Sequence, residues 1–249
     1  MIRLFPILFL LFLSFEPQKD PNYNKQGRPS TYGIDKFIKE NQESLIKEYE
    51  YLINDTIYDI NVFTEDLSKT SDGELGIFYP PDNIVLTDDE AYVEYEFKNL
   101  SKFRQRNSTY VDRTVKAVLF HELTHTYIYQ IEFHMTAEDK HISPEYRNFN
   151  MIPISESALG SDFIEEGICE YVVYHLKEAV DIGEIEVPES RFEVMKNENN
   201  LITYRYSAYF LKDFLDKYGI HKGIEILIGN KPPSYEEILN PKLFFNRIK

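Results

Sequence analysis

Apolar residues at Ile34, Phe37, Ile38, Leu45, Ile46, Tyr49, Leu52 and Ile53 recur three or four positions apart. That spacing lines them along one stripe and predicts an amphipathic first helix. Short stretches rich in β-branched and aromatic residues follow: Ile57 to Phe63, Leu75 to Tyr79 and Asn83 to Leu86. They predict a small, partly antiparallel sheet, with the turn-forming Pro80-Pro81-Asp82 between the last two strands. Between Tyr92 and Phe103 the apolar positions fit neither period, and no element is assigned. Helical spacing resumes over Val111 to Ile131, around Phe163 to Leu176, and from Tyr204 to Tyr218. Ser234 and Glu237 then give the capping-box signature of a short final helix. Strands in the first half and helices in the second predict an α+β fold. A small mixed sheet should pack on the helix around residues 111–131, followed by a mainly helical lobe.

Residues 33–249 hold enough apolar material for one domain with two lobes, about 33–133 and 150–249. Ahead of them, Met1-Ile2-Arg3 precedes an apolar run from Leu4 to Phe15, broken only by Pro6 and Ser14. About a dozen apolar residues fall short of the ~20 that span a bilayer. Residues 1–16 therefore read as a signal peptide or N-terminal anchor, although a cleavage site of the A-x-A type is missing. This predicts an exported chain, secreted, periplasmic or envelope-anchored, with membrane association through that segment only. Residues 17–32, polar and rich in Pro, Asn, Lys and Gln, read as a linker.

Charge narrows the partners. Asp and Glu outnumber Lys and Arg by 42 to 27, a formal net charge of −15. With no basic stretch interleaved with aromatics, nucleic acid is excluded as an expected partner. The single cysteine, Cys169, rules out an intrachain disulfide framework and any cysteine-rich structural zinc site. It is expected to be a small buried apolar residue.

The residues with clear chemistry are His121-Glu122-Leu123-Thr124-His125, an H-E-x-x-H motif inside a predicted helix. Side chains four apart share a helix face, so both imidazoles can reach one ion. Glu122 lies about 100° around the helix from His121, placed to take a proton from a zinc-bound water without ligating the metal. Apolar Val115, Val118, Leu119 and Ile128 suit a helix through the middle of a domain. A catalytic zinc needs a third protein ligand and keeps its fourth position for water. Ile128 and Tyr129 follow where the short metzincin pattern would continue, and no third histidine completes it. The next candidate is the segment Phe163 to Tyr171, where acidic residues punctuate an apolar helical stretch and Glu166 and Glu170, four apart, share one face.

Together these two segments resemble the gluzincin superfamily of zinc metallopeptidases, in which a second helix after H-E-x-x-H supplies a glutamate ligand. Glu165-Glu166-Gly167 is similar to the N-E-G motif of its aminopeptidase-like members, with Glu165 replacing the usual asparagine. The resemblance implies one zinc ion per chain held by His121, His125 and Glu166. It also implies that Glu170 hydrogen-bonds a zinc-bound histidine, which would fix the tautomer of the ring. Ile202-Thr203-Tyr204 resembles the start of a helix whose tyrosine faces the substrate. Tyr204 would then donate to the oxyanion, with Tyr206 as the alternative. The stretch Leu75 to Leu86 is similar in position to the edge strand that pairs with an extended peptide. The resemblance spans roughly residues 75–229.

The activity it implies is hydrolysis of a peptide or protein substrate by a Glu122-activated, zinc-bound water. Two alternatives stand beside it: a catalytically silent scaffold with the same fold, and a zinc hydrolase of a non-peptide substrate. The G-x-M-E-N type motif that grips a free amino terminus in the large aminopeptidases is missing, so endo- and exopeptidase action both remain open. Asn54, Asn99 and Asn107 begin N-x-S/T triplets, expected by chance in an Asn-rich chain. His134, His141, His175 and His221 occur singly, and surface or hydrogen-bonded roles are expected of them.

Overall fold

A computed structural model of the chain describes residues 33–67, 75–88, 92, 108–143, 156–173 and 201–248. The expected signal segment and linker, Asn99, Asn107 and His175 lie outside the described residues. Among these residues the fold is mixed α+β and mostly helical, with seven helices and a three-stranded sheet. No described helix is long and apolar enough to cross a membrane. The chain divides into two compact units. Among the described residues, one gathers residues 33–49 with those of Tyr58–Leu123, the other Glu50–Ile57 with those from Thr124 onward.

In the first unit, α1 (Ile34–Ile53) buries Ile34, Ile38, Leu45 and Tyr49, the stripe its sequence predicts. Asn54, at the left-handed φ of 54°, ends it, and the Asp55 amide donates back to the Glu50 carbonyl at 3.2 Å. That bond closes a Schellman turn, in which asparagine tolerates the left-handed conformation. The first strand, β1 (Asn61–Glu65), begins later than the apolar run from Ile57 suggests. Asp59 at φ 52° is the reason, since a left-handed residue interrupts extended pairing.

Strand β3 (Asn83–Thr87) is central, parallel to β1 and antiparallel to β2 (Gly76–Tyr79). The stretch Leu75 to Leu86 is thus a hairpin, not one edge strand. Only its first arm, β2, lies at an edge among the described residues. Leu67, Ile77 and Val85 form a buried apolar cluster on this sheet.

The long helix α2 (Ser108–Ala137) runs about 45 Å. Val118, Leu119, Phe120, Leu123, Tyr127 and Ile128 are buried, so apolar side chains cover more than one of its faces. Tyr49 packs edge-on against Phe120, with ring centroids 5.5 Å apart, and Lys116 is paired with Glu48. A second Schellman turn ends α2, with Asp139 left-handed and the Lys140 amide on the Met135 carbonyl.

The second unit also contains α3 (Glu156–Tyr171), α4 (Leu201–Tyr218), α5 (Ile220–Ile228), α6 (Tyr235–Leu239) and α7 (Pro241–Arg247). Helices α3 and α4 meet at Gly167, where a β-carbon would lie 2.9 Å from both Leu211 Cδ1 and the Ser207 carbonyl oxygen. Phe163 packs edge-on against Phe210 at 5.2 Å beside this contact. The expected capping box is formed: the Glu237 amide donates to Ser234 Oγ, and Glu237 Oε2 accepts from the Ser234 amide. His221 is hydrogen-bonded as expected, its Nδ1 lying 2.7 Å from Asp55 Oδ2 and 2.9 Å from the Tyr127 hydroxyl.

Candidate metal centre

Helix α2 carries the first half of the centre. His121 is fully buried, Glu122 is 2% exposed and His125 is half-buried. Glu122 lies directly under β2. A β-carbon on Gly76 would sit 3.1 Å from Glu122 Cγ, 3.2 Å from its Oε1, and 2.5 Å from Val118 Cγ1. Glycine is what lets the strand come this close to the helix, and the contact holds the Glu122 carboxylate against backbone.

Helix α3 brings the second half, and His125 is the meeting point. Its Nδ1 lies 2.8 Å from Glu165 Oε1. A carboxylate oxygen accepts, so Nδ1 carries the proton and Nε2 keeps its lone pair. Nε2 in turn faces Glu166 Oε1 at 3.6 Å. That is too long for a hydrogen bond. It is close to the roughly 3.3–3.4 Å that separates two donors each about 2.0–2.1 Å from one tetrahedral zinc.

His125 Nδ1 donates to Glu165, a partner that the family resemblance, which assigned Glu170 to a zinc-bound histidine, did not point to. Glu170 is itself buried one turn further along α3. The signal for Glu165 lay in its position beside the expected ligand: consecutive glutamates point about 100° apart and can address the two nitrogens of one ring. Glu132, two turns beyond His125 on α2, is a further acidic neighbour. Its pKa is pushed up to about 8 by burial and then by the charge of Glu165.

One ligand atom each from His121, His125 and Cys169 lie within 4.8 Å of one another, a grouping able to hold a metal ion. Cys169 is fully buried, as expected, but its surroundings are not simply apolar. Glu166 is not part of that trio and faces His125. The overlooked signal was spacing, because Cys169 follows Glu166 by three residues and shares its helix face.

Among the described residues, four buried side-chain atoms make no hydrogen bond: His121 Nδ1, Glu122 Oε1, Glu166 Oε2 and Glu170 Oε2. Each of these residues has other interactions. All four atoms belong to the two segments singled out from the sequence, and nitrogen and carboxylate donors are the set that zinc takes. The residues present therefore fit a divalent metal.

The backbone of Tyr204 lies in the first turn of α4, and its side chain is outside the described ones. Tyr206 is fully buried and donates to the Ile238 carbonyl, and its pKa is pushed up to about 12, chiefly by burial. A phenol committed to a core carbonyl is poorly suited to meet a substrate oxyanion, which leaves Tyr204 as the candidate. In comparisons with protein-family models, curated proteins and solved structures, nothing matches this chain.

Proposed function

We propose that the protein is a zinc metallopeptidase of the gluzincin kind, with His121, His125 and Glu166 holding one zinc ion and Glu122 as general base. The observation that carries this reading is the double engagement of His125. One nitrogen is tied to Glu165 at 2.8 Å, and the other faces Glu166 at 3.6 Å. An imidazole fixed in one tautomer by a carboxylate, with its free lone pair turned to a second carboxylate, is prepared to share a cation.

Zinc, when bound, supplies a Lewis acid that acidifies water and polarises a carbonyl. Glu122 takes a proton from the attacking water and passes it to the leaving amine. Tyr204 donates a hydrogen bond to the carbonyl oxygen as charge builds there. Glu165 keeps the proton on His125 Nδ1, so that Nε2 stays a donor of electrons throughout.

The test is metal analysis and a peptide-library screen on the purified full chain, with and without chelator. About one equivalent of zinc should bind, and be lost in His121→Ala, His125→Ala and Glu166→Ala. Glu122→Gln should keep the metal while kcat falls by about 10²–10⁴-fold. Equal cleavage by Glu122→Gln and the parent would overturn the assignment of the base. Zinc binding without cleavage of any peptide by either the parent or Cys169→Ala would overturn the peptidase reading in favour of a scaffold.

A further inference from the structure

We propose that Cys169 Sγ is a ligand of the same metal and takes the coordination position otherwise left to water, so that the centre rests closed. The inference rests on the metal-centre reading above and adds a fourth protein ligand to it. Three observations on different residues lead there.

The first is proximity: donor atoms of His121, His125 and Cys169 lie within 4.8 Å of one another. Zinc bound to two imidazoles and a thiolate at about 2.0–2.1 and 2.3 Å keeps its donors roughly 3.3–3.6 Å apart. Side-chain rotation alone covers that difference. The second is the position of Cys169 on α3. It follows Glu166 by three residues, about 300° around the helix, so sulfur and carboxylate leave neighbouring points of one face. Glu166 Oε1 is already 3.6 Å from His125 Nε2. A metal placed between those two groups therefore lies beside the face that carries Cys169. The third is chemical, since thiolate is a soft ligand that zinc accepts readily. Cys169 is the only cysteine of the chain and is not in a disulfide.

Coordination number gives the consequence. Two histidines and a glutamate leave one tetrahedral position for water, and a protein ligand in that position makes a closed site of the structural type. On closing, the Cys169 thiol releases its proton to solvent, sulfur donates an electron pair to the metal, and one water leaves. On opening, water returns and the sulfur takes up a proton. No electron is gained or lost, so the step needs no oxidant or reductant. In this scheme the resting centre is latent until the sulfur withdraws.

The experiment loads the full-length protein with Co(II) and records its absorption spectrum. Thiolate ligation gives an intense charge-transfer band in the near ultraviolet, apart from the weaker visible bands of the metal itself. Because the chain has one cysteine, the band in the parent protein assigns the ligand before any substitution is made. Cys169→Ser should lose the band and still bind one cobalt, with Cys169→Ala as the second variant should the serine not fold. A cobalt-loaded parent without the band, or a band that persists in folded Cys169→Ser or Cys169→Ala, overturns the proposal. In that case metal binding lost in Glu166→Ala leaves the His121, His125 and Glu166 site standing. A parent that binds no metal at all overturns both.

Discussion

Gly76 offers a way to press on Glu122 without touching the metal ligands. In Gly76→Ala the new methyl would lie 2.5 Å from Val118 Cγ1 and 3.2 Å from Glu122 Oε1, so something must move. Gly76 has no left-handed backbone angle, so alanine meets no backbone obstacle and the cost is one of packing. Overfilling a core contact costs about 1–3 kcal/mol. The narrower unfolded ensemble of alanine returns about 0.4–1 kcal/mol, leaving a net change between about zero and a loss of about 2.5 kcal/mol. Val118 is fully buried, and Val118→Ala removes two methyl groups. At ~0.8 kcal/mol each, plus a cavity, that change costs about 1.5–3 kcal/mol. In the double variant the methyl of Ala occupies space vacated by Val118. The two losses should therefore fall short of their sum by at least about 1 kcal/mol. Urea unfolding of the four proteins measures this. Additivity within about 0.5 kcal/mol would refute the described contact between β2 and α2. Peptidase activity should fall in Gly76→Ala and recover in the double variant as Glu122 regains its place.

Two further predictions concern the neighbours of His125. Glu165→Gln keeps the volume but weakens the hold on Nδ1, and zinc affinity measured against a chromophoric chelator should drop by about 10–100-fold. Unchanged affinity would remove Glu165 from the centre. Glu132, raised from 4.5 to about 8, makes the folded chain hold a proton that the unfolded chain releases. Its contribution to stability is complete below about pH 4.5 and lost as pH rises through about 8. In metal-free protein kept in chelator, the stability of Glu132→Gln minus that of the parent should therefore grow by a few kcal/mol from pH 5 to pH 8. A flat difference in urea unfolding would refute the shift.

Periodicity was a sound guide where one physical rule governs an element. The apolar stripe of α1, the β2–β3 hairpin and the Ser234 capping box follow from spacing and local hydrogen-bonding chemistry alone. It failed at β1, because the left-handed Asp59 that delays the strand leaves no mark on hydrophobic patterning. The edge strand that the family resemblance implied over Leu75 to Leu86 is realised only in β2, since strand order depends on where β1 docks. At the centre, H-E-x-x-H was legible because four-residue spacing fixes a shared face whatever the tertiary structure. Glu165 and Cys169 were not, because their importance depends on which side of α3 turns toward α2. A residue spacing can place groups on a face, but it cannot say what that face meets.

The acidic residues around His125 make a final argument for a cation. Glu165 holds one ring nitrogen and Glu166 faces the other, while Glu132 lies close enough for the charge of Glu165 to raise its pKa. Two carboxylates thus flank the His125 imidazole, and Glu132 lies within reach of the charge of one of them. Carboxylates so placed repel one another, and burial deepens the penalty because it removes the water that would screen them. Burial first, and then the charge of Glu165, favour the protonated form of Glu132, which removes one part of that repulsion. A divalent ion beside His125 Nε2 would relieve the rest, by giving Glu166 a positive partner and drawing charge from Glu165 through the ring. Removal of the metal should therefore be felt first at these glutamates, and the dependence of stability on pH should be steeper without zinc than with it.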